Sequence, residues 1–342
     1  MSAVRGVDSW THVHFIYNPQ SGNQTIQRNV GTLANKLGQI FPSAHVQIEP
    51  TTGPADATKY ARRTADEFGS NALVVIAGGD GSVSEAANGL IETDTPLLVL
   101  PYGTGNDLGR TLYRGGARSP YDILEALAAG DGGVRVEPID AIRVRGKNVR
   151  NGHGQVLDQL DYHCINVISI GLDSQVAIIA DRIHRKVPWL LGMSYPIGVL
   201  SALTKPTSAT MRLTAEIDGE TQTAERPYLI CAIGNASYYG GGFLPHPDAL
   251  LNDGLMNILT ARPLKLPQIA KLLGKFRKGE RIPDDVATYQ QAEKAIIEGV
   301  DSELIITLDG EGYYANSIEA DMVSDALSVL LPASWNRPQA FL

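Results

Sequence analysis

A chain of 342 residues, 43% apolar and 19% charged, can bury a sizeable core, suits two domains and excludes an extensively disordered polypeptide. Its formal net charge of −8 argues against general nucleic-acid binding, which prefers a basic face. Cys164 and Cys231 both lie in apolar, strand-like runs and read as buried small hydrophobes in a reducing compartment, and residues 1–10 lack an apolar signal-peptide core.

Taken in chain order, residues 12–17 are predicted as a strand ending in the polar turn Asn18-Pro-Gln-Ser-Gly22. A helix over 24–40 and a strand over 44–48 follow. Residues 56–68 are predicted as a helix, with Tyr60, Ala61, Thr64 and Phe68 at helical spacing. The apolar strand 72–77 runs into Gly78-Gly-Asp-Gly-Ser82, and a helix-like segment covers 82–91. A second buried strand over 95–100 ends in Pro101-Tyr-Gly-Thr-Gly-Asn-Asp107, and 121–129 is another helix. This βαβα order implies a doubly wound parallel sheet. His12 and His14 share a strand face and read as packing; the histidines form no ligand cluster in sequence.

After Pro138 the texture changes. The runs 136–144, 162–170, 210–217, 228–233, 256–261, 294–298 and 304–308 are short and strand-like, a β-rich, sandwich-like second domain. Helical insertions are expected over 174–203 and 265–278. Residues 187–204 carry no charge, but Pro188, Gly192, Pro196 and Gly198 fit a core helix better than a membrane span. The crevice between the two domains is the expected active site.

The chemistry begins at three loops. In an open α/β sheet ligands bind at the carboxyl ends of the strands. Three strands here deliver Asn18, Asp80 and Asp107 to that edge. Glycine lets backbone approach a ligand, and backbone N–H groups with a helix N-terminus make a phosphate cradle, here residues 78–84. One Gly-rich turn also suits an ordinary strand-to-helix connection; three on one edge do not reduce to that. No Walker-type Gly-Lys-Ser/Thr element occurs. Farther on, strand 304–308 ends in Asp309-Gly310-Glu311, two carboxylates able to accept a hydroxyl proton. Both could face one side of an extended segment, or the glycine could turn the chain and separate their roles. Asn252-Asp253-Gly254 is a strong β-turn signal.

Together these motifs resemble the diacylglycerol kinase catalytic-domain family, which includes sphingosine kinases and bacterial lipid kinases. The matching residues are Asn18-Pro-x-Ser-Gly22, Gly78-Gly-Asp-Gly-Ser82, Pro101-x-Gly-Thr-x-Asn-Asp107, Tyr239-Gly-Gly-Gly242, Asp253-Gly-Leu255 and Leu308-Asp-Gly-Glu311, in the family's order over nearly the whole chain. Two departures are Ser82, where the family most often has Thr, and Ser84-Glu85, where many relatives have Asn-Glu. The resemblance implies an ATP- and Mg²⁺-dependent lipid kinase that phosphorylates a hydroxyl of diacylglycerol, a sphingoid base or another lipid alcohol. It implies nucleotide contacts from Asn18, Thr51, Gly78, Gly79, Asp80, Gly81, Ser82, Val83, Ser84, Thr104, Asn106 and Asp107, with Thr52 the adjacent rival of Thr51. Mg²⁺ would be held by the Asp253 side chain and the carbonyls of Leu250 and Leu255. Glu311 is favoured as proton acceptor with Asp309 orienting the hydroxyl or metal, and the reverse assignment stands beside it.

The implied layout is an ATP-binding domain over 1–137, completed by a returning tail at 322–342, and an acceptor domain over 138–321. A cytoplasmic enzyme is implied, peripheral on the inner face of the membrane where its lipid substrate lies. Either the basic residues within 182–186 or Lys271, Lys275, Arg277, Lys278 and Arg281 would meet the anionic surface; such charges at helical spacing also suit a solvated face. A homodimer is compatible with the sequence. Two other readings remain: an NAD-kinase-like enzyme, since that fold also uses a Gly-Gly-Asp-Gly loop, and a non-catalytic nucleotide or lipid sensor. The element 101–107 and the late Asp-Gly-Glu disfavour the first; the intact acids disfavour the second.

Overall fold

The computed structural model describes residues 3–22, 24–113, 119–129, 133–186, 209–333 and 335, with backbone alone for 3 and 180–186. The chain forms two compact units: Met1–Ala141 with Leu251–Asp253 and Ser324–Leu342, and Ile142–Leu250 with Gly254–Val323.

The first unit contains β1 (Ala3–Arg5), β2 (His12–Tyr17), α1 (Thr25–Ile40), β3 (His45–Pro50), α2 (Asp56–Phe68), β4 (Ala72–Gly78), α3 (Asp80–Leu90), β5 (Leu97–Pro101), α4 (Asp107–Leu112), α5 (Pro120–Ala128) and the start of β6 (Val134–Asn151). Strand β2 lies parallel between β3 and β4, with His12 opposite both His45 and Ala72, and β5 is parallel to β4. All seven residues of β4 are buried, as a continuous apolar run in a doubly covered parallel sheet requires. The expected doubly wound sheet is therefore present. His14 is buried, its Nδ1 2.5 Å from Thr64 Oγ1 and its Nε2 3.0 Å from Glu49. Burial pushes its ring down to about 4, so it packs as a neutral group. His12 stacks on Phe68 at 4.1 Å.

The second unit continues with β7 (Val156–Cys164), β8 (Val167–Gly171), α6 (Leu172–Lys186), β9 (Ala209–Ile217), β10 (Glu220–Tyr228), β11 (Ile230–Gly234), β12 (Met256–Ala261), α7 (Leu266–Lys278), β13 (Ala287–Ala292), β14 (Lys294–Gly299), β15 (Leu304–Leu308), β16 (Glu311–Ala315) and β17 (Ser317–Pro332). One antiparallel set runs β10-β9-β14-β17 and another β16-β15-β8-β11-β12-β13. Met211, Leu213, Ile297 and Ile318 of the first set share a core with Ile168, Ile233, Ile258 and Ile306 of the second, the packing of a sandwich. Helix α7 buries Ile269, Leu272 and Phe276 against Leu229, Leu259 and Ala261. Beyond the second unit, Val329 of β17 lies parallel to Leu97 of β5 in the first.

Two apolar runs differ from their sequence reading. Residues 162–170 are not one strand: β7 ends at Cys164 and β8 begins at Val167. Between them the Asn166 carbonyl accepts from both Asn235 and Ala236 N–H. Residues 228–233 likewise break at Leu229, whose N–H bonds Ala261 O while its carbonyl accepts from Leu172. Apolarity marks burial but not where a buried chain changes partner. Strand β10, largely exposed, carried too little apolar signal to be anticipated. The expected helix 174–203 corresponds to α6 as far as Lys186; residues 187–204 lie outside the described residues.

Gly89 lets α3 approach α2: a Cβ there would stand 2.5 Å from Thr58 O and 2.9 Å from Ala61 Cβ. Gly89→Ala should therefore destabilise by about 1–3 kcal/mol through overpacking. Gly274→Ala in α7, where a Cβ meets nothing within 4 Å, should stabilise by about 0.5–1 kcal/mol. Urea midpoints measured for both, with unchanged slopes, check the opposite signs.

Candidate active site

Because β2, β4 and β5 are parallel neighbours, their carboxyl ends open on one edge of the first unit. The loops there are joined to one another. Asn18 N–H donates to Ala77 O at 3.0 Å, Tyr102 N–H to Gly78 O at 2.8 Å, and Asn18 Nδ2 to Ser82 Oγ at 3.1 Å. A Cβ on Gly103 would lie 2.5 Å from Gly79 Cα, so the two glycine loops touch main chain to main chain. A Cβ on Gly105 would lie 2.5 Å from Asp80 Oδ2. Asn106 adopts φ +54° and closes its loop by accepting from Gly103 N–H and donating to Gly103 O. It is thereby held in the left-handed region, where Asn is among the better tolerated side chains.

Asp80 occupies the first turn of α3, where the helix dipole favours an acid, and accepts the Asp107 N–H at 2.6 Å. Burial raises its carboxyl to about 6, with the Asp107 charge adding to the rise and the N–H groups of residues 106–108 opposing it. Two acids are thus held together, with Arg110 Nε 3.9 Å from Asp107 Oδ1. Thr104 is exposed in its loop, and Gly81 is exposed in the first turn of α3. Val83 and Ser84 are buried, and the Val83 N–H already donates to Gly79 O. Thr51 follows β3 and donates its N–H to Tyr17 O, whereas the Thr52 hydroxyl and N–H both bind Asp56 Oδ2. That engagement leaves Thr51 the better candidate of the two.

In the second unit, β15 and β16 pair directly, with Leu308 opposite Glu311. Asp309 and Gly310 form the two-residue turn, both with positive φ (+47° and +94°), as such hairpins require. The glycine therefore turns the chain and the two acids part. Asp309 Oδ1 accepts from Cys164 Sγ at 2.9 Å, Asn166 N–H at 2.9 Å and Val167 N–H at 3.1 Å, and Oδ2 accepts from Ile165 N–H at 3.0 Å. Glu311 is exposed and borders a small recess of about 140 Å³ with Asn151, His153 and Tyr313.

Leu250–Leu255 leads into β12 through a turn with Gly254 at φ +75°. The Leu251 carbonyl accepts the Asp140 N–H at 2.7 Å, and the buried Asp140 carboxylate accepts the Asp325 N–H. Among the described residues no three His, Cys, Asp or Glu side chains converge as a metal cage. A cation here would rely on single carboxylates, carbonyls and water, which suits Mg²⁺. Gly240, Gly241 and Gly242 all have positive φ inside a loop closed by reciprocal bonds between Tyr239 and Phe243. Tyr239 OH donates to Asp173 at 2.9 Å, and burial raises the Asp173 carboxyl to about 6. Asp140, Asp173 and Cys164 were not singled out from sequence for these roles; the available signal was a lone acid in an apolar run, at 139–141 and 170–173.

The basic residues of α7 are partly engaged locally. Lys275 and Lys278 approach Glu280 at 3.8 Å, Arg281 approaches Asp248 at 3.8 Å, and Arg277 lies over the Phe243 ring. The side chains of 182–186 lie outside the described residues. Among the described residues no helix is long and apolar enough to cross a membrane.

Two family profiles match, in order: the diacylglycerol kinase catalytic domain over residues 12–143, and the YegS C-terminal NAD kinase beta sandwich-like domain over 166–331. Over both stretches the chain is similar to the diacylglycerol kinase catalytic-domain family. It is an enzyme of the lipid-kinase class. It is 28% identical over 314 residues to the diacylglycerol kinase of Bacillus subtilis (strain 168), covering 90% of this chain and 92% of that one. It is 29% identical over 289 residues to the diacylglycerol kinase of Mycobacterium tuberculosis (strain ATCC 25618 / H37Rv), covering 83% and 84%. Its fold resembles the crystal structure of a diacylglycerol kinase from Bacillus anthracis str. Sterne, with a TM-score of 0.65 at 20% identity over 95% of this chain and 98% of that one. Within this kinase family frame, the first profile spans the three joined loops and the second spans the Asp309–Gly310 turn.

Because the Asp80 carboxyl is raised in the folded chain, its ionisation disfavours the fold: the associated stability is present below the unfolded value and lost as pH rises through about 6. In metal-free buffer Asp80→Asn should therefore stabilise the protein at pH 7.5 by about 1–2 kcal/mol, with the gain vanishing near pH 4. Urea unfolding at the two pH values measures it.

Proposed function

We propose that this kinase transfers the γ-phosphate of ATP, with Mg²⁺, to a hydroxyl of a lipid alcohol such as diacylglycerol or a sphingoid base. The observation that carries the reading is the main-chain contact between the Gly79 and Gly103 loops, with Asp80 accepting the Asp107 N–H above it. Such an edge offers backbone N–H groups free of Cβ atoms, as phosphates require. Asn18, Thr51, Gly78, Gly79, Asp80, Gly81, Ser82, Ser84, Thr104, Asn106 and Asp107 are the residues assigned to the nucleotide. Val83 supports them from the core. Mg²⁺ neutralises charge on the phosphates when bound, and Asp253 with the carbonyls of Leu250 and Leu255 is assigned to hold it.

Glu311 is assigned as the proton acceptor. The four donors on Asp309 occupy its oxygens, so it serves better as an orienting group than as a base. Transfer of labelled γ-phosphate to a panel of lipids and NAD tests the reading. Glu311→Gln should lower kcat about 10²–10⁴-fold, as loss of a general base does. Asp309→Asn should also impair transfer, and Asp253→Asn should raise the Mg²⁺ concentration needed. Label on NAD alone would move the chain to the NAD-kinase reading that the description of its second domain invites. ATP binding with no labelled acceptor would point to a regulator.

A lipid acceptor would bring the enzyme to a membrane surface, and the exposed cations of α7 with Arg281 just beyond it are assigned to meet it. Lys278 and Arg281 keep 74% and 64% of their side chains exposed despite their ion pairs, which are worth little at such exposure. Charge reversal at Lys271, Lys278 and Arg281 should release the protein from anionic vesicles in a flotation assay. Undiminished flotation would remove α7 from this role.

A further inference from the structure

We propose that Cys164 is a positioning residue for phosphoryl transfer, its thiol holding the Asp309 carboxylate and through it the turn that carries Glu311. The inference rests on the lipid-kinase reading above.

Asp309 sits at φ +47°, as its two-residue Asp-Gly turn requires, and further contacts fix its side chain against the break between β7 and β8. Its N–H donates to Val167 O at 3.1 Å, and its carboxylate receives the N–H groups of Ile165, Asn166 and Val167. These donors come from the break between β7 and β8. The fourth donor is the Cys164 thiol, 2.9 Å from Oδ1. Three of the four are main chain and survive any substitution that keeps the backbone. The thiol is a side chain, so its share can be removed.

Cys164 is fixed independently of the turn. It is fully buried at the end of β7, opposite Ile142 of β6. Burial first, and then the negative charge of Asp309, push the thiol far up, so it stays S–H and keeps a hydrogen to donate. Small apolar residues would fill the same slot in the core, and what cysteine adds is the donor. Glu311 follows Asp309 by two residues and opens β16, so a rotation of the Asp309 peptide is passed to its backbone. Cys231, equally buried, provides the control for loss of a core thiol away from this turn.

The test compares Cys164→Ala, Cys164→Val, Cys164→Ser and Cys231→Ala in full-length enzyme, with ATP, Mg²⁺ and dispersed short-chain diacylglycerol. Cys164→Val keeps the buried slot filled with no donor and covers the case in which the cavity left by Cys164→Ala prevents folding. Cys164→Ala and Cys164→Val should lose about tenfold in kcat while KM for both substrates moves less than about twofold. Cys164→Ser, which restores a donor, should stay within about threefold of wild type. Cys231→Ala should keep wild-type kcat. Amide exchange read on the same proteins needs no activity: residues 165–167 and 309 should exchange faster in the Ala and Val variants than in wild type or the Ser variant. Wild-type kcat and unchanged exchange in Cys164→Val would overturn the proposal, as would equal loss of kcat in the Ser and Val variants. If wild type labels no lipid, the lipid-kinase reading falls; faster exchange in Cys164→Val then still supports the hold on the turn, and unchanged exchange overturns it.

Discussion

The first unit depends on one close approach, the contact of the Gly79 and Gly103 main chains. That contact sets the spacing of the loops after β4 and β5, and the Tyr102–Gly78 hydrogen bond locks it. Asp80 can accept from Asp107 only because Gly105 leaves its carboxylate room. Asn18 then reaches Ser82, so the loop after β2 joins the same construction. Each later contact presupposes the one before. The cost is electrostatic: burial first, and then the nearby Asp107 charge, raises the Asp80 carboxyl.

The second unit solves the opposite problem. Where the first brings two acids together, the hairpin between β15 and β16 surrounds one acid with donors. A carboxylate so held fixes a strained turn, and the neighbouring Glu311 keeps its exposure. A rigid Asp and an exposed Glu two residues apart give one turn both a support and a carboxylate open to solvent.

Much of this was legible in the residues, and unevenly so. Strands β2, β12 and β15 and helix α2 coincide with their sequence reading, because a strong period and clean Gly or Pro boundaries coincide there. The three loops were legible because parallel strands send their carboxyl ends one way. The break at Ile165-Asn166 was not, since its cause is Asp309, more than a hundred residues later in the chain. The residues left open whether Gly310 turns the chain between Asp309 and Glu311, and it does, around a constrained acid. Asp140 and Asp173 escaped notice because a single acid in an apolar run has no periodicity to announce it. What long-range contact decides, local pattern does not display.

A cradle lined by main chain has an evolutionary consequence. At Gly103 and Gly105 substitution can only add atoms where a backbone or a carboxylate already stands, so drift has no graded path. Side-chain sites can retune charge, length or polarity by small steps, whereas these positions admit one residue or a rebuilt loop. Graded variation is thereby left to positions such as Asn151, His153 and Tyr313 at the recess of the second unit, where side chains can be exchanged one at a time.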